Sequence, residues 1–216
     1  MNVFISANNT DCGKTYTTLK LIQQFSKMGY KVGVMKPIET GVKDLPPDGN
    51  KLFREAKKHN PLLNDLTLND IVPIQLKLPA APFVAGSVDL NKIKLAYAKI
   101  KPLCDILLIE GAGGIRVPIK VENGKWRMEN EKWIEMWELS QFLNAKLFLV
   151  IGSKLGMIND FLLNKYFLDS QNINYTWAVN LFDESYFEIT HPFIKQFSPL
   201  FIQTDLDKIA KKLLGE

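Results

Sequence analysis

A chain of 216 residues, 46% hydrophobic and 23% charged, has the composition of one compact globular domain with a full core. The net charge of +4 comes from 27 basic against 23 acidic residues with the signs interspersed, so the modest basic cluster at Lys51, Arg54, Lys57 and Lys58 reads as a solvated helix face and no nucleic-acid partner is expected. Two cysteines, Cys12 and Cys104, form neither a disulfide framework nor a metal spacing; with no basic leader and no run near the ~18 apolar residues of a membrane span, a soluble cytoplasmic protein is expected.

In chain order, Asn2 to Ala7 predicts a short buried strand, and Thr15 to Met28 a helix with Leu19, Ile22 and Phe25 on one face and Gly29 as its stop. A second strand is expected over Lys31 to Ile38, and a loop from Glu39 to Pro47. Further apolar strands are expected at Asp105 to Gly111, Lys146 to Gly152 and Thr176 to Phe182. Helical periods occupy Asn91 to Lys101, Lys132 to Leu143, Ile158 to Leu168 and Ser185 to Phe197. Asn123-Gly124, between two extended runs, reads as a two-residue hairpin turn. Continuous apolar strands alternating with helices imply a mostly parallel sheet covered on both faces, hence an α/β fold.

Three segments carry the chemistry. "NNTDCGKT", Asn8 to Thr15, stands where a strand passes into a helix and ends like a phosphate loop, although Asn8 holds the position of the usual first glycine. Gly13 allows backbone N–H groups to approach phosphate, Lys14 neutralises phosphate oxygens, and Thr15 offers a hydroxyl to Mg²⁺. An asparagine in the glycine's place tolerates left-handed backbone better than other side chains. "LLIEGAGG", Leu107 to Gly114, delivers Glu110 at the carboxyl end of a strand, where ligands of open α/β sheets bind and a carboxylate suits Mg²⁺. "MKPIETG", Met35 to Gly41, brings Lys36 to the same edge, because Pro37 stops the strand there. Two lysines beside a carboxylate and a hydroxyl suit phosphoryl transfer.

Together these segments resemble the dethiobiotin synthetase family, whose variant phosphate loop G-T-D-T-x-V-G-K-T is matched by Ala7 to Thr15, with Ala7 in place of the glycine and Asn9 in place of the aspartate. Lys36-Pro37-Ile38-Glu39-Thr40-Gly41 matches the family's K-P-x-x-[ST]-G; Glu110 to Gly114 and Gly152 to Asn159 match its E-G-A-G-G and G-x-K-L-G-x-I-N. The resemblance implies a phosphate-loop α/β domain acting as a homodimer. It implies that 7,8-diaminononanoate is carboxylated by CO₂, the carbamate takes the γ-phosphoryl group of ATP, and the second amine closes the ring.

Carried over by position, Lys14 and Lys36 would stabilise the transferring phosphoryl group and the carbamate. Thr10, Asp11, Cys12, Gly13, Lys14, Thr15, Tyr16, Asp48, Glu110, Gly111, Ala112, Gly113 and Asn180 would bind the nucleotide. Thr15, Asp48 and Glu110 would hold Mg²⁺, with Asp48 as the N-cap of its helix and Asp44 as the alternative ligand. Thr40 would contact the diamine or carbamate. Gly156, Met157, Ile158 and Asn159, at a helix N-terminus of the neighbouring subunit, would receive the substrate carboxylate, with Lys154 adding charge.

The family's base-binding segment is matched at Asn180 but not beyond it, which predicts weakened or altered base recognition. A ParA/MinD-like partition ATPase is the rival of another class, and it normally carries a second lysine early in its loop that positions 7 to 12 lack. His59 and His191 are expected to lie at helix ends without partners. Trp133 and Trp137, at i and i+4 of one helix, are expected to pack, and Cys12 to fill space.

Overall fold

The computed structural model describes residues 1–122, 133–182, 184–197, 201–202 and 204–216. Strand β1 (Asn2–Ala7) leads through a loop into helix α1 (Lys14–Lys27), followed by β2 (Val32–Met35), β3 (Ile38–Thr40), α2 (Pro47–His59), α3 (Leu68–Ile71) and β4 (Ile74–Leu76). Next come α4 (Pro82–Ala85), β5 (Ser87–Val88), α5 (Leu90–Ile100), β6 (Ile106–Glu110), β7 (Pro118–Val121) and β8 (Trp133–Glu135). The C-terminal part adds α6 (Met136–Phe142), β9 (Lys146–Gly152), α7 (Met157–Ser170), β10 (Tyr175–Asn180), α8 (Ser185–Ile189), α9 (His191–Ile194), β11 (Phe201–Ile202) and α10 (Leu206–Leu214).

The main sheet has the order β11-β10-β9-β1-β6-β2, and every neighbouring pair is parallel. Its central strands are apolar without alternation because neither face meets water: β1 and β6 are buried along their whole length. Helix α1 buries Leu21, Ile22 and Phe25 against the sheet, each worth about 1.5–3 kcal/mol of apolar burial, and Gly29 in left-handed conformation (φ 92°) ends it. Since all six strands run one way, their carboxyl ends, at Ala7, Met35, Glu110, Gly152 and Asn180, share one edge of the sheet. That edge is where an α/β sheet of this kind can build a site.

Three expected elements differ. The second strand stops at Met35: Pro37 cannot donate to a ladder, the Lys36 amide donates to the Ile71 carbonyl at 2.9 Å, and Ile38 opens a separate two-stranded parallel sheet with β4. The expected helix over Lys132 to Leu143 begins only at Met136, because residues 133–135 pair antiparallel with β7. Trp133 is therefore a strand residue and does not share a helix face with Trp137, which is buried. The expected helix over Ser185 to Phe197 is two short helices, since Pro192 cannot donate the bond that would continue the first. The Asn123-Gly124 turn lies outside the described residues.

The two histidines do sit at helix ends, but they have neighbours. His59 Nε2 is 3.3 Å from Glu55 Oε1, and the His191 ring lies 5.6 Å from that of Tyr186.

Candidate active site

The phosphate loop grows directly out of β1. Ala7 is fully buried in the sheet, beside Val150, and its carbonyl accepts from the Ile115 amide at 3.1 Å, so strand backbone suffices where the family has glycine. The left-handed residues are Asp11 (φ 55°) and Gly13 (φ 89°), which corrects the expectation that Asn8 would take that conformation. Asn8 instead fastens the loop to β9: its amide donates to the Val150 carbonyl at 3.1 Å and its Oδ1 accepts from the Gly152 amide at 3.2 Å. At the other end Asn180 Nδ2 donates to the Cys12 carbonyl at 2.9 Å. A Cβ on Gly13 would lie 1.9 Å from that same nitrogen, so glycine is required there by contact as well as by backbone angle.

Beneath the loop, the carboxylate of Glu110 is fully buried and satisfied by three donors. Thr15 Oγ1 donates to Oε1 at 2.9 Å, Lys36 Nζ to Oε1 at 2.8 Å, and Thr18 Oγ1 to Oε2 at 3.0 Å. Lys36 also donates to the Gly111 carbonyl at 3.3 Å. Burial alone would lower the Lys36 ammonium, but the charge and hydrogen bond of Glu110 outweigh it and hold the pKa above its ordinary value. Lys14 goes the other way: burial and the like charge of Lys36 lower it, and its Nζ reaches only the Asn9 carbonyl at 3.4 Å. Of the two neighbouring lysines, Lys36 is ion-paired with a carboxylate, and among the described residues Lys14 has no salt-bridge partner.

A cavity of about 730 Å³ opens over these groups. The loop residues Thr10, Asp11, Gly13, Lys14, Thr15 and Tyr16 form one wall. Lys36, Thr40, Asp48, Glu110, Ala112, Gly113 and Asn180, also singled out from the sequence, line it too, together with Glu39, Leu181 and Phe182. Cys12 lies under the loop, 3% exposed, as a space-filling residue, and Gly111 turns its backbone toward Lys36. Gly156 and Met157 to Asn159 do form a helix N-terminus, at the start of α7, but they do not line this cavity. Asp44 is exposed away from it, whereas Asp48 lines it.

Asp48 is not the N-cap of α2, as expected; that residue is Pro46, and Asp48 lies inside the first turn. The cap comes from Glu39, whose Oε1 and Oε2 accept the amides of Asp48 and Gly49, each at 2.8 Å. Glu39 is 3% exposed, lines the cavity, and has its carboxyl pushed up by burial against those two N–H donors. Sequence reasoning passed over Glu39 and Thr18, because each is defined by a partner distant in the chain, and Leu181 and Phe182, although they follow Asn180 directly; the spacing of Thr18 one helical turn after Lys14 was a further local signal.

A second cavity of about 600 Å³ adjoins the first, with Thr10 in both walls. Ile115, Val117, Pro118, Leu163 and Phe167 make much of its surface apolar. Arg116 at its rim is held by both oxygens of Glu135, at 3.1 and 2.7 Å, and stacks 4.4 Å from the centre of the Phe167 ring.

The donor set suits Mg²⁺: one hydroxyl and two carboxylates are hard oxygen ligands.

Comparison with known proteins agrees with this geometry. A family model described as an AAA domain matches residues 1–181. Among solved structures, a plasmid partition protein from Borrelia burgdorferi (TM-score 0.55, 9% identity, 99% of this chain and 97% of that one) and MinD from Aquifex aeolicus (TM-score 0.53, 16% identity, 100% and 97%) share the fold. Similarity in sequence is greater to proteins named ATP-dependent dethiobiotin synthetase. The one from Sulfurovum sp. is 38% identical over 98% of this chain and 99% of its own length, and that of Wolinella succinogenes 35% identical over 99% and 98%. With a sheet of the phosphate-loop type, four motifs in order and identity running from end to end, the chain belongs to the ATP-dependent dethiobiotin synthetase family.

Proposed function

We propose that this chain is a dethiobiotin synthetase that acts as one domain and uses ATP to carboxylate and cyclise 7,8-diaminononanoate. The observation that carries the proposal is the meeting, in one cavity, of the phosphate loop with the Lys36–Glu110–Thr15 cluster. An amine nitrogen attacks CO₂ and loses a proton, giving a carbamate. A carbamate oxygen attacks the γ-phosphorus and ADP departs. The second amine then attacks the carbamoyl carbon, closing the ring and expelling phosphate.

Each step moves negative charge, and the two lysines divide the work. Lys14, undercompensated by protein, meets the β- and γ-phosphate oxygens; Lys36, fixed by Glu110, is positioned for the carbamate and the phosphoryl group in transfer. Thr15, Asp48 and Glu110 would hold Mg²⁺, which would supply charge neutralisation to the phosphate oxygens. Thr10, Asp11, Cys12, Gly13, Tyr16, Gly111, Ala112, Gly113 and Asn180 surround the nucleotide, through backbone where the side chain is buried. Thr40 contacts the diamine or carbamate. The apolar cavity beside Thr10 has room for the methylene chain of the substrate.

The substrate carboxylate is received, on this proposal, by Gly156, Met157, Ile158 and Asn159 of a second copy of the chain, so the working unit is a homodimer. The α7 N-terminus supports this: Leu155 and Gly156 are exposed and do not line their own chain's nucleotide cavity. A cytoplasmic location goes with the substrates, and no helix among the described residues is long and apolar enough to cross a membrane.

The test is phosphate release from ATP and Mg²⁺ in bicarbonate, with and without the diamine. Release that requires the diamine, with a ring product of the right mass, is the expected result. Release that ignores the diamine, with no ring product, overturns the assignment.

A further inference from the structure

The first turn of α2 poses a problem that its own sequence does not solve. Its N-cap is Pro46, which has no side-chain oxygen, and Pro47 has no amide, so the amides of Asp48 and Gly49 need an acceptor from elsewhere. Glu39 supplies one oxygen to each, from β3, nine and ten residues earlier in the chain. Gly49 leaves the room this packing uses: a Cβ there would lie 2.1 Å from Val72 Cγ2 and 3.1 Å from Glu39 Oε2. A buried carboxylate is costly, and this one stands beside Asp48 on the cavity wall, where another negative charge adds to the cost. A helix cap alone could be made by serine or asparagine on the helix itself.

We infer that Glu39 is a positioning residue for magnesium: by gripping the Asp48 amide it fixes where the Asp48 carboxylate stands relative to Thr15 and Glu110. The inference rests on the proposed Mg²⁺ role of Asp48. Without that grip, among the described residues the side chain of Asp48 has a single 3.6 Å ion pair, with Lys51, whose own side chain is 62% exposed, to hold it. The same backbone segment carries Lys36 and Thr40, so one carboxylate links the phosphoryl-facing lysine to the metal-facing aspartate. Partners that orient a metal ligand in this way typically change metal affinity by about 10- to 100-fold when removed.

The test is calorimetric binding of ADP to the full-length protein, with and without Mg²⁺, for wild type, Glu39→Ala, Asp48→Ala and the double variant. Glu39→Ala is expected to leave Mg²⁺-free affinity within about twofold and to cut the Mg²⁺ enhancement about tenfold. In the Asp48→Ala background, the same substitution is expected to change the enhancement no further, because Glu39 acts through Asp48. A merely structural cap would lower both affinities together, or act equally in both backgrounds, and either result overturns the inference. Should Glu39→Ala fail to fold, Glu39→Gln keeps one acceptor and turns a donor against the other amide, and it is expected to lose at least about threefold of the enhancement. Wild-type Mg²⁺ dependence in either variant also overturns it. If wild-type protein itself binds no nucleotide, it is the proposed function that fails.

Discussion

Lys36 Nζ stands 2.8 Å from Glu110 Oε1, and neither side chain is more than 5% exposed. The pair joins the end of one strand to the end of its neighbour in the sheet, since Met35 and Ile109 are in register. Glu110 accepts Thr15 on the same oxygen, so the ammonium, the hydroxyl and the carboxylate are held as one unit before any ligand arrives. Such preorganisation spares the reaction the cost of arranging charges as it proceeds.

Replacing Lys36 by alanine is therefore expected to reduce turnover on the order of 10²–10³-fold, the usual effect of losing one electrostatic stabiliser. Nucleotide binding, which draws on Lys14 and the loop, should persist within several-fold. Steady-state phosphate release and calorimetry on the same preparation check both halves, and an unchanged rate removes Lys36 from the mechanism.

Gly13→Ala brings two penalties together, a left-handed backbone angle and a methyl group 1.9 Å from Asn180 Nδ2. The backbone part alone is worth about 1–2 kcal/mol. Nucleotide affinity should fall at least about tenfold, and adding Asn180→Ala should recover only part, since it relieves the contact and leaves the angle. Full recovery in the double variant would show that the angle carries no cost.

Thr18→Val keeps the shape of the side chain and removes the hydroxyl that faces Glu110 Oε2 and the Lys14 carbonyl. With one oxygen of a fully buried carboxylate left without its side-chain donor, a loss of about 1–3 kcal/mol is expected in denaturant unfolding. A midpoint unchanged from wild type would mean that Glu110 finds another donor.

Base selectivity should be shallow. Asn180 Nδ2 gives one of its two hydrogens to the Cys12 carbonyl, and beside it the cavity offers Phe182, an exposed ring with Lys154 Nζ 4.9 Å from its centre. An aromatic face stacks on any base. ATP and GTP are expected to bind within about tenfold of one another in competition titrations, and a much larger preference for ATP would require an edge-reading group.

The sequence by itself was enough for the α/β class, the parallel sheet, the phosphate loop and the family, because each rests on local patterns: apolar runs, helical periods and short motifs between them. Lys36 and Glu110 were legible for the same reason, each standing at the end of a strand that the hydrophobic pattern already marked, and Lys14 and Thr15 because they open the helix that follows one.

Tertiary structure decided the rest, because those properties belong to pairs of residues distant in the chain. That Asn8 is a fastener and not a glycine substitute depends on β9 lying beside β1. That α2 is capped by Glu39, and Asp48 thereby carried to the cavity wall, depends on the small β3–β4 sheet, which no periodicity announces in strands of three residues. Only packing reveals what stands at the missing glycine's place: Ala7 is ordinary strand backbone with its methyl group in the core, and the left-handed turn falls later, at Asp11 and Gly13.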